Sequence, residues 1–473
     1  MYDLLLARVQ LEDPANGVRG IRDMALEDGH VAAVAEELPR SGARKILDME
    51  GAIAIPGIVD LHVHVSGMFG DPAGFSMLAG AGVCTAVNMA GPVDEALESM
   101  RHACGLNVAL LEDANPGGNL SGPAAGAEET RVFAERALER GALGVKILGG
   151  HYPLTPETSE RLARQTLDAG GYMAWHAGTT AHGSNIEGMR EVCELVGDAP
   201  VHLAHINSYC RGQVRPELEE AAEAVALLEA HPALISESYV AAANGTSLSI
   251  GPDGRLASKS TGATFLRLGY EDSAEGVARA IADGVAFVLV RRGGEIVRLS
   301  GEEGLRRWQE AGSHLPGSLD VNPAASRLAL ALARRRSGDF AVDCLATDGG
   351  AIPRNVLISQ GFALVLGGAL SMADFVRKTS LNPARCLHLP DKGHLGPGAD
   401  ADITVIDPVR LRAAATIVKG RVCMFGGHVC GQGGTVITTP RGSRAVAARG
   451  FPQVCAAVGR GPLPFRPSGQ QRA

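Results

Sequence analysis

Short apolar runs recur along the 473 residues at intervals of roughly 25 to 35, separated by segments of helical period. Strand candidates begin near Gly57, Val83, Asn107, Gly141, Gly171, Val201, Ala233 and Asp343. Between them, segments such as Pro156 to Ala169 and Asn185 to Val196 carry helix-start signals and helical periodicity. Eight strand–helix repeats predict a (β/α)8 TIM-like barrel over about residues 55–395. The spacing between the seventh and eighth candidates is much longer and holds its own strand-like stretch, Val285 to Val297. It predicts an insertion over about residues 240–340.

The two ends of the chain have a different texture. Asp3 to Leu11 alternates as a strand, and Asp28-Gly29 is hairpin chemistry between apolar segments. Ala401 to Ile406 and Thr416 to Met424 are strand-like, with Lys419-Gly420 as the turn. Residues 1–54 and 396–440 are therefore expected to build one small β-sandwich from both termini. Residues 441–473, rich in Pro, Gly and Arg, are expected to be poorly ordered.

Composition removes some function classes. A formal charge of −8 and the absence of a basic cluster argue against nucleic acid and anionic membranes as partners. Nine cysteines, none in a CxxC pair, indicate neither a zinc ribbon nor a disulfide framework and point to a reducing cytoplasm. Met1 to Leu6 lacks a signal-peptide pattern, and no apolar run of about 18 residues suggests a spanning helix.

Chemistry concentrates at strand ends. In Pro56 to Val65, His62 and His64 stand at i and i+2 of an apolar strand, which turns both imidazoles to one face. Two ordinary strand histidines would look the same. Later strands end in Lys146, His176, the pair His202 and His205, and Asp348. Singly, Lys146 reads as an ion-pair lysine, Asp348 as a helix N-cap and His202 as a barrel-wall residue. Together, at the rim where barrel enzymes keep their chemistry, they form a metal-hydrolase constellation.

With these residues the chain resembles the amidohydrolase superfamily, which includes dihydroorotases, hydantoinases and N-acyl-amino-acid deacylases. The likeness spans about residues 1–435 and includes Pro56 to His64, Thr347-Asp348, Thr379 to Ala384 and Gly393 to Asp402. It implies a binuclear site in which His62, His64 and Asp348 hold one divalent metal and His176 with His205 the second. Lys146, carboxylated on its amine, would bridge them, with zinc first and Mn, Ni or Co as substitutes. Asp348 would be the general base and acid for cleavage of an amide, cyclic amide or ureide C–N bond. A mononuclear site using His62, His64, Asp348 and one more histidine stays open.

Gly141 to Gly144 and Tyr152-Pro153 have the texture of N-acyl-D-amino-acid deacylases, but those lack the bridging lysine and use a cysteine from an earlier strand. Cys84 lies within a strand, not at its end, so the ligand set favours the dihydroorotase and hydantoinase type. The deacylase is the alternative, and a non-catalytic scaffold like the relatives of dihydropyrimidinases is a further one. Substrate contacts are expected from strand-end loops: His151, Tyr152, Asn207, Tyr209, Arg211, Ser238, Tyr239 and Arg354, with Arg211 or Arg354 able to clamp a carboxylate. Only 4% aromatic residues favour a small polar substrate. Homo-oligomers are common in the resembling family.

Overall fold

Apolar residues on both faces make the central strands ones that only a fully covered parallel sheet can bury. In the computed structural model, which describes residues 1–459, they do so as a barrel. Its strands are Ile58–His64, Val83–Asn88, Asn107–Ala114, Gly144–Leu148, Tyr172–His176, His202–Leu203, Ile235–Ser238 and Cys344–Leu345. Each pairs in parallel with the next. The eighth strand is broken. After Leu345 the chain leaves the sheet, then Gly349 and Gly350 pair with Val63 and His64 of the first strand and close it.

Helices return the chain between strands where the sequence supplies caps. The Thr155 side chain accepts from Thr158 N–H ahead of helix Pro156–Asp168, which opens on proline. Asn185 accepts from the N–H groups of Glu187 and Gly188 at the start of Ile186–Val196.

The termini share one continuous nine-stranded sheet, joined where Ile53–Pro56 pairs antiparallel with Ile403–Asp407. It encloses its own apolar cluster, including Leu6, Leu11, Met24, Ile403 and Ile417. Both expected hairpins occur, Val18–Glu27 with His30–Ala35 and Arg412–Val418 with Arg421–Phe425. The sheet is stitched to the barrel base by Lys392, whose Nζ donates to Asp400 at 2.7 Å and Asp402 at 2.6 Å. Asp402 in turn accepts from Asn107 of the third strand.

Between strands seven and eight the chain builds a lobe. Its four-stranded sheet comprises Thr246–Ser247, Ala286–Arg292, Glu295–Leu299 and Pro316–Leu319. Helices Lys259–Arg267, Ala274–Ala282 and Gly301–Glu310 pack on it around a core separate from the barrel's, containing Phe265, Ile281 and Trp308.

The region after 434 differs from expectation. Thr435–Thr438 joins the barrel sheet in parallel with the start of strand three, followed by helix Ser443–Ala448 and by Gln453–Cys455, which pairs with the added strand. Val436, Ile437, Val446 and Ala456 are buried there, and this apolar burial outweighs a Pro/Gly/Arg-rich composition. The rest of the expected disordered tail, residues 460–473, lies outside the described residues. No described helix is long and apolar enough to cross a membrane.

Candidate metal centre

The carboxylate of Asp60, in the Pro56 to His64 motif, spans the barrel seam. It accepts from Thr347 N–H at 3.1 Å, Thr347 hydroxyl at 2.5 Å and His62 N–H at 3.2 Å. Strand one is thereby locked to the break in strand eight just before Asp348. At that break Asp348 has φ 51°, and His205 at the end of strand six has φ 37°. These left-handed conformations are uncommon for non-glycine residues and cluster at functional sites. Here they turn two strand-end side chains into the same cavity.

Six predicted ligand residues line that cavity of about 680 Å³: His62, His64, Lys146, His176, His205 and Asp348. Asp348 Oδ1 lies 3.3 Å from His62 Nε2 and 3.0 Å from His64 Nε2, and His205 Nε2 lies 3.2 Å from His176 Nδ1. Donor atoms of His62, His205 and Asp348 all fall within 4.8 Å of one another. A tetrahedral ion with bonds of about 2.0–2.1 Å has ligand atoms about 3.3 Å apart, so these spacings fit a zinc-like cation. The trio takes His62 and Asp348 from the first expected ligand set and His205 from the second.

Burial holds the imidazoles of His62, His176 and His205 well below their ordinary range, so each offers a lone pair at neutral pH. Burial also pulls the Lys146 ammonium down, and its Nζ has only Met89 sulfur at 3.7 Å within hydrogen-bond reach among the described residues. A buried lysine that loses its proton easily is a nucleophilic amine. Burial opposes ionisation of Asp348, but Arg354 and then His64 outweigh it and keep the carboxylate below its usual range.

Glu237 is the centre's unforeseen member. Fully buried on strand seven, its Oε1 accepts from His62 Nδ1 at 2.8 Å and from His205 N–H at 2.6 Å. It fixes the His62 tautomer with Nε2 toward Asp348, and it pins the strained His205 backbone. The signal in the sequence was an acidic residue between two serines in the strand candidate that begins near Ala233. Among the described residues, buried Glu237 Oε2, His205 Nδ1 and His202 Nε2 have no hydrogen-bond partner. His202 itself sits in the wall, bonded through Nδ1 to Tyr172 hydroxyl at 3.0 Å.

The expected substrate residues divide. His151, Tyr152, Arg211, Tyr239 and Arg354 line the cavity. Asn207 does not: its turn folds inward and Oδ1 accepts from Ser238 hydroxyl and Tyr239 N–H. Tyr209 also points inward, accepting from Ala177 N–H. Arg354 is fully engaged, pairing with Asp348 Oδ2 at 2.6 Å and donating to the carbonyls of Asp348 and Ala243, so it orients Asp348 instead of waiting for a carboxylate. Cys84 lies far from this chemistry, among the backbone carbonyls of Ile403 and Ile417.

A barrel that closes through a break bearing Asp348, with histidines at its other strand ends, defines a class of metal-handling hydrolases. The chain belongs to the amidohydrolase family, whose model matches residues 53–425. It is thus a hydrolase of carbon–nitrogen bonds other than peptide bonds. It is 25% identical over 434 residues to a dihydroorotase of Elusimicrobium minutum, covering 85% of this chain and 88% of the relative. Its fold is similar to N-acyl-D-glutamate deacylase of Bordetella bronchiseptica, solved with zinc and a phosphonate inhibitor: TM-score 0.67, 17% identity, 92% of this chain and 99% of that one. Dihydropyrimidinase of Brevibacillus agri matches at TM-score 0.62 and 13% identity over 92% of this chain and 98% of that one.

Proposed function

We propose that the protein hydrolyses an amide or ureide C–N bond, cyclic or N-acyl, in a small polar substrate. The observation that carries this reading is the convergence of five predicted ligands and a deprotonation-prone lysine in one cavity. His62, His64 and Asp348 would hold one divalent cation, and His176 with His205 a second. Lys146, as the neutral amine, adds to carbon dioxide with loss of one proton, and its carbamate oxygens would bridge the two. Two such cations, zinc first among the candidates, supply water activation and withdraw charge from the scissile carbonyl.

The chain's own groups do the rest. Asp348 accepts the proton of the attacking water and delivers it to the departing nitrogen. Arg354, on its other oxygen, keeps it ionised and aimed. Tyr239 lies beneath the Arg354 guanidinium at 4.7 Å and extends that support. His151 and Tyr152 face the substrate from the loop after strand four.

Metal analysis with a substrate screen tests the proposal. Two equivalents of divalent metal per chain are expected, with activity on a cyclic ureide or an N-acyl amino acid that chelation abolishes. Lys146→Ala should lower metal stoichiometry. A purified protein with no stoichiometric metal and no chelator-sensitive hydrolysis would establish the non-catalytic scaffold instead.

A further inference from the structure

The lobe does more than cover the barrel mouth. One side of helix Lys259–Arg267 lines the same cavity as the ligand cluster, with Lys259 and Arg267 at its two ends. Across from it stands Arg211, held by three polar neighbours. Its Nε donates to Asn322 Oδ1 at 2.8 Å, and its Nη2 to the hydroxyls of Ser208 at 3.1 Å and Tyr239 at 3.3 Å. None of these neighbours is an acid, so the guanidinium is fixed in place with its charge unmatched.

The charges around the cavity do not balance. Its acidic lining residues are Asp113 and Asp348. Asp348 is taken by Arg354 and the histidines, and Asp113 accepts from Gly91 N–H on the far side. The carboxylate behind Arg211, Glu220, is spent on the N–H groups of Gly212, Val214 and Arg215. Among the described residues, Arg211, Lys259 and Arg267 therefore have no ion-pair partner. Desolvation and the like charge of Arg211 hold Arg267 below its ordinary value, against a smaller opposing pull from Glu220. Three cations thus line one cavity with no ion pair to an acid of its lining, which favours an anionic occupant.

We infer that Arg211, Lys259 and Arg267 form a carboxylate-recognition wall, two-thirds of it supplied by the lobe, that selects substrates carrying an acidic arm remote from the scissile bond. This rests on the hydrolase reading above. Arg211, immobilised by Asn322 and Ser208, gives a planar donor edge, while Lys259 and Arg267 are exposed side chains free to close on the arm.

Matched substrates that differ in one charge test it: N-acetyl-glutamate against N-acetyl-glutamine in both enantiomers, and dihydroorotate against dihydrouracil. With metal-loaded enzyme, kcat/KM for the acidic member should exceed that of its neutral partner by about tenfold or more, the worth of a charge-assisted hydrogen bond. The ratio should fall as salt is raised from 0.05 to 0.5 M. It should approach one in the double variant Lys259→Ala, Arg267→Ala, whose exposed positions leave folding undisturbed. Equal rates within each pair, or a ratio the double variant leaves intact, overturns the inference while hydrolysis stands. If neither pair is cleaved, the hydrolase reading fails for these classes, and titration calorimetry with glutarate decides the wall alone. Binding to the wild type lost in the double variant supports it, and equal or absent binding overturns it.

Discussion

Glu237 is not among the residues lining the cavity, yet two of the expected ligands depend on it. One oxygen sets the His62 tautomer and the His205 backbone together. Outer partners of this kind typically cost 10–100-fold in metal affinity when removed. Glu237→Ala should weaken metal binding by about that factor in competition with a chromogenic chelator, and Glu237→Gln, which keeps an acceptor oxygen, by less. The stretch Ile235 to Tyr239 suggested Ser238 and Tyr239 but not Glu237. In a four-residue strand buried at every position, polarity alone does not say which side chain faces the barrel axis. Asn207 shows the converse. Its place after a strand end suggested substrate, but the turn Ile206–Tyr209 rolls its amide into the protein, where it braces strand seven. His62, His64, His176, His205 and Asp348 were legible because strand ends in a barrel share one rim, a constraint that acts before any packing detail.

At the level of elements, the joint between the terminal sheet and the barrel rests on buried Lys392 and Asp402 with the partly buried Asp400. Removing one partner of such a cluster leaves uncompensated charge and costs about 3–5 kcal/mol. Lys392→Met should lower stability by that amount in urea denaturation. Burial alone would lower the Lys392 pKa, but Asp402 and Asp400 outweigh it and raise the value above the ordinary one. The stabilisation is then fully present below the unfolded lysine value of about 10.4 and lost as pH rises through the folded one. Thermal melts between pH 8 and 11 should show the wild type losing stability at the alkaline end more steeply than the variant. Hairpins at Asp28-Gly29 and Lys419-Gly420 were readable because their turn chemistry is local. The strand Thr435–Thr438 was not, since its partner is the start of strand three, more than 300 residues earlier in the chain.

Across the whole molecule, barrel and lobe keep separate apolar cores. Trp308 anchors the lobe, buried with Nε1 donating to the Leu248 carbonyl at 3.0 Å. Trp308→Ala should destabilise it by about 3–5 kcal/mol. Limited proteolysis should then cut within residues 246–319, while metal stoichiometry holds, because every expected ligand belongs to the barrel. An insertion at this place was foreseeable from the long gap before Asp343, whereas its cationic face was not, since nothing in the sequence says which side of Lys259–Arg267 looks inward. The lobe's point of attachment has a historical consequence. It enters after strand seven and leaves before strand eight, lining the cavity mouth while every expected metal ligand stays on the barrel. Descent can therefore trade one lobe for another, altering what is admitted while the bond-breaking apparatus is inherited whole. Selectivity and chemistry in such a lineage would drift at different rates.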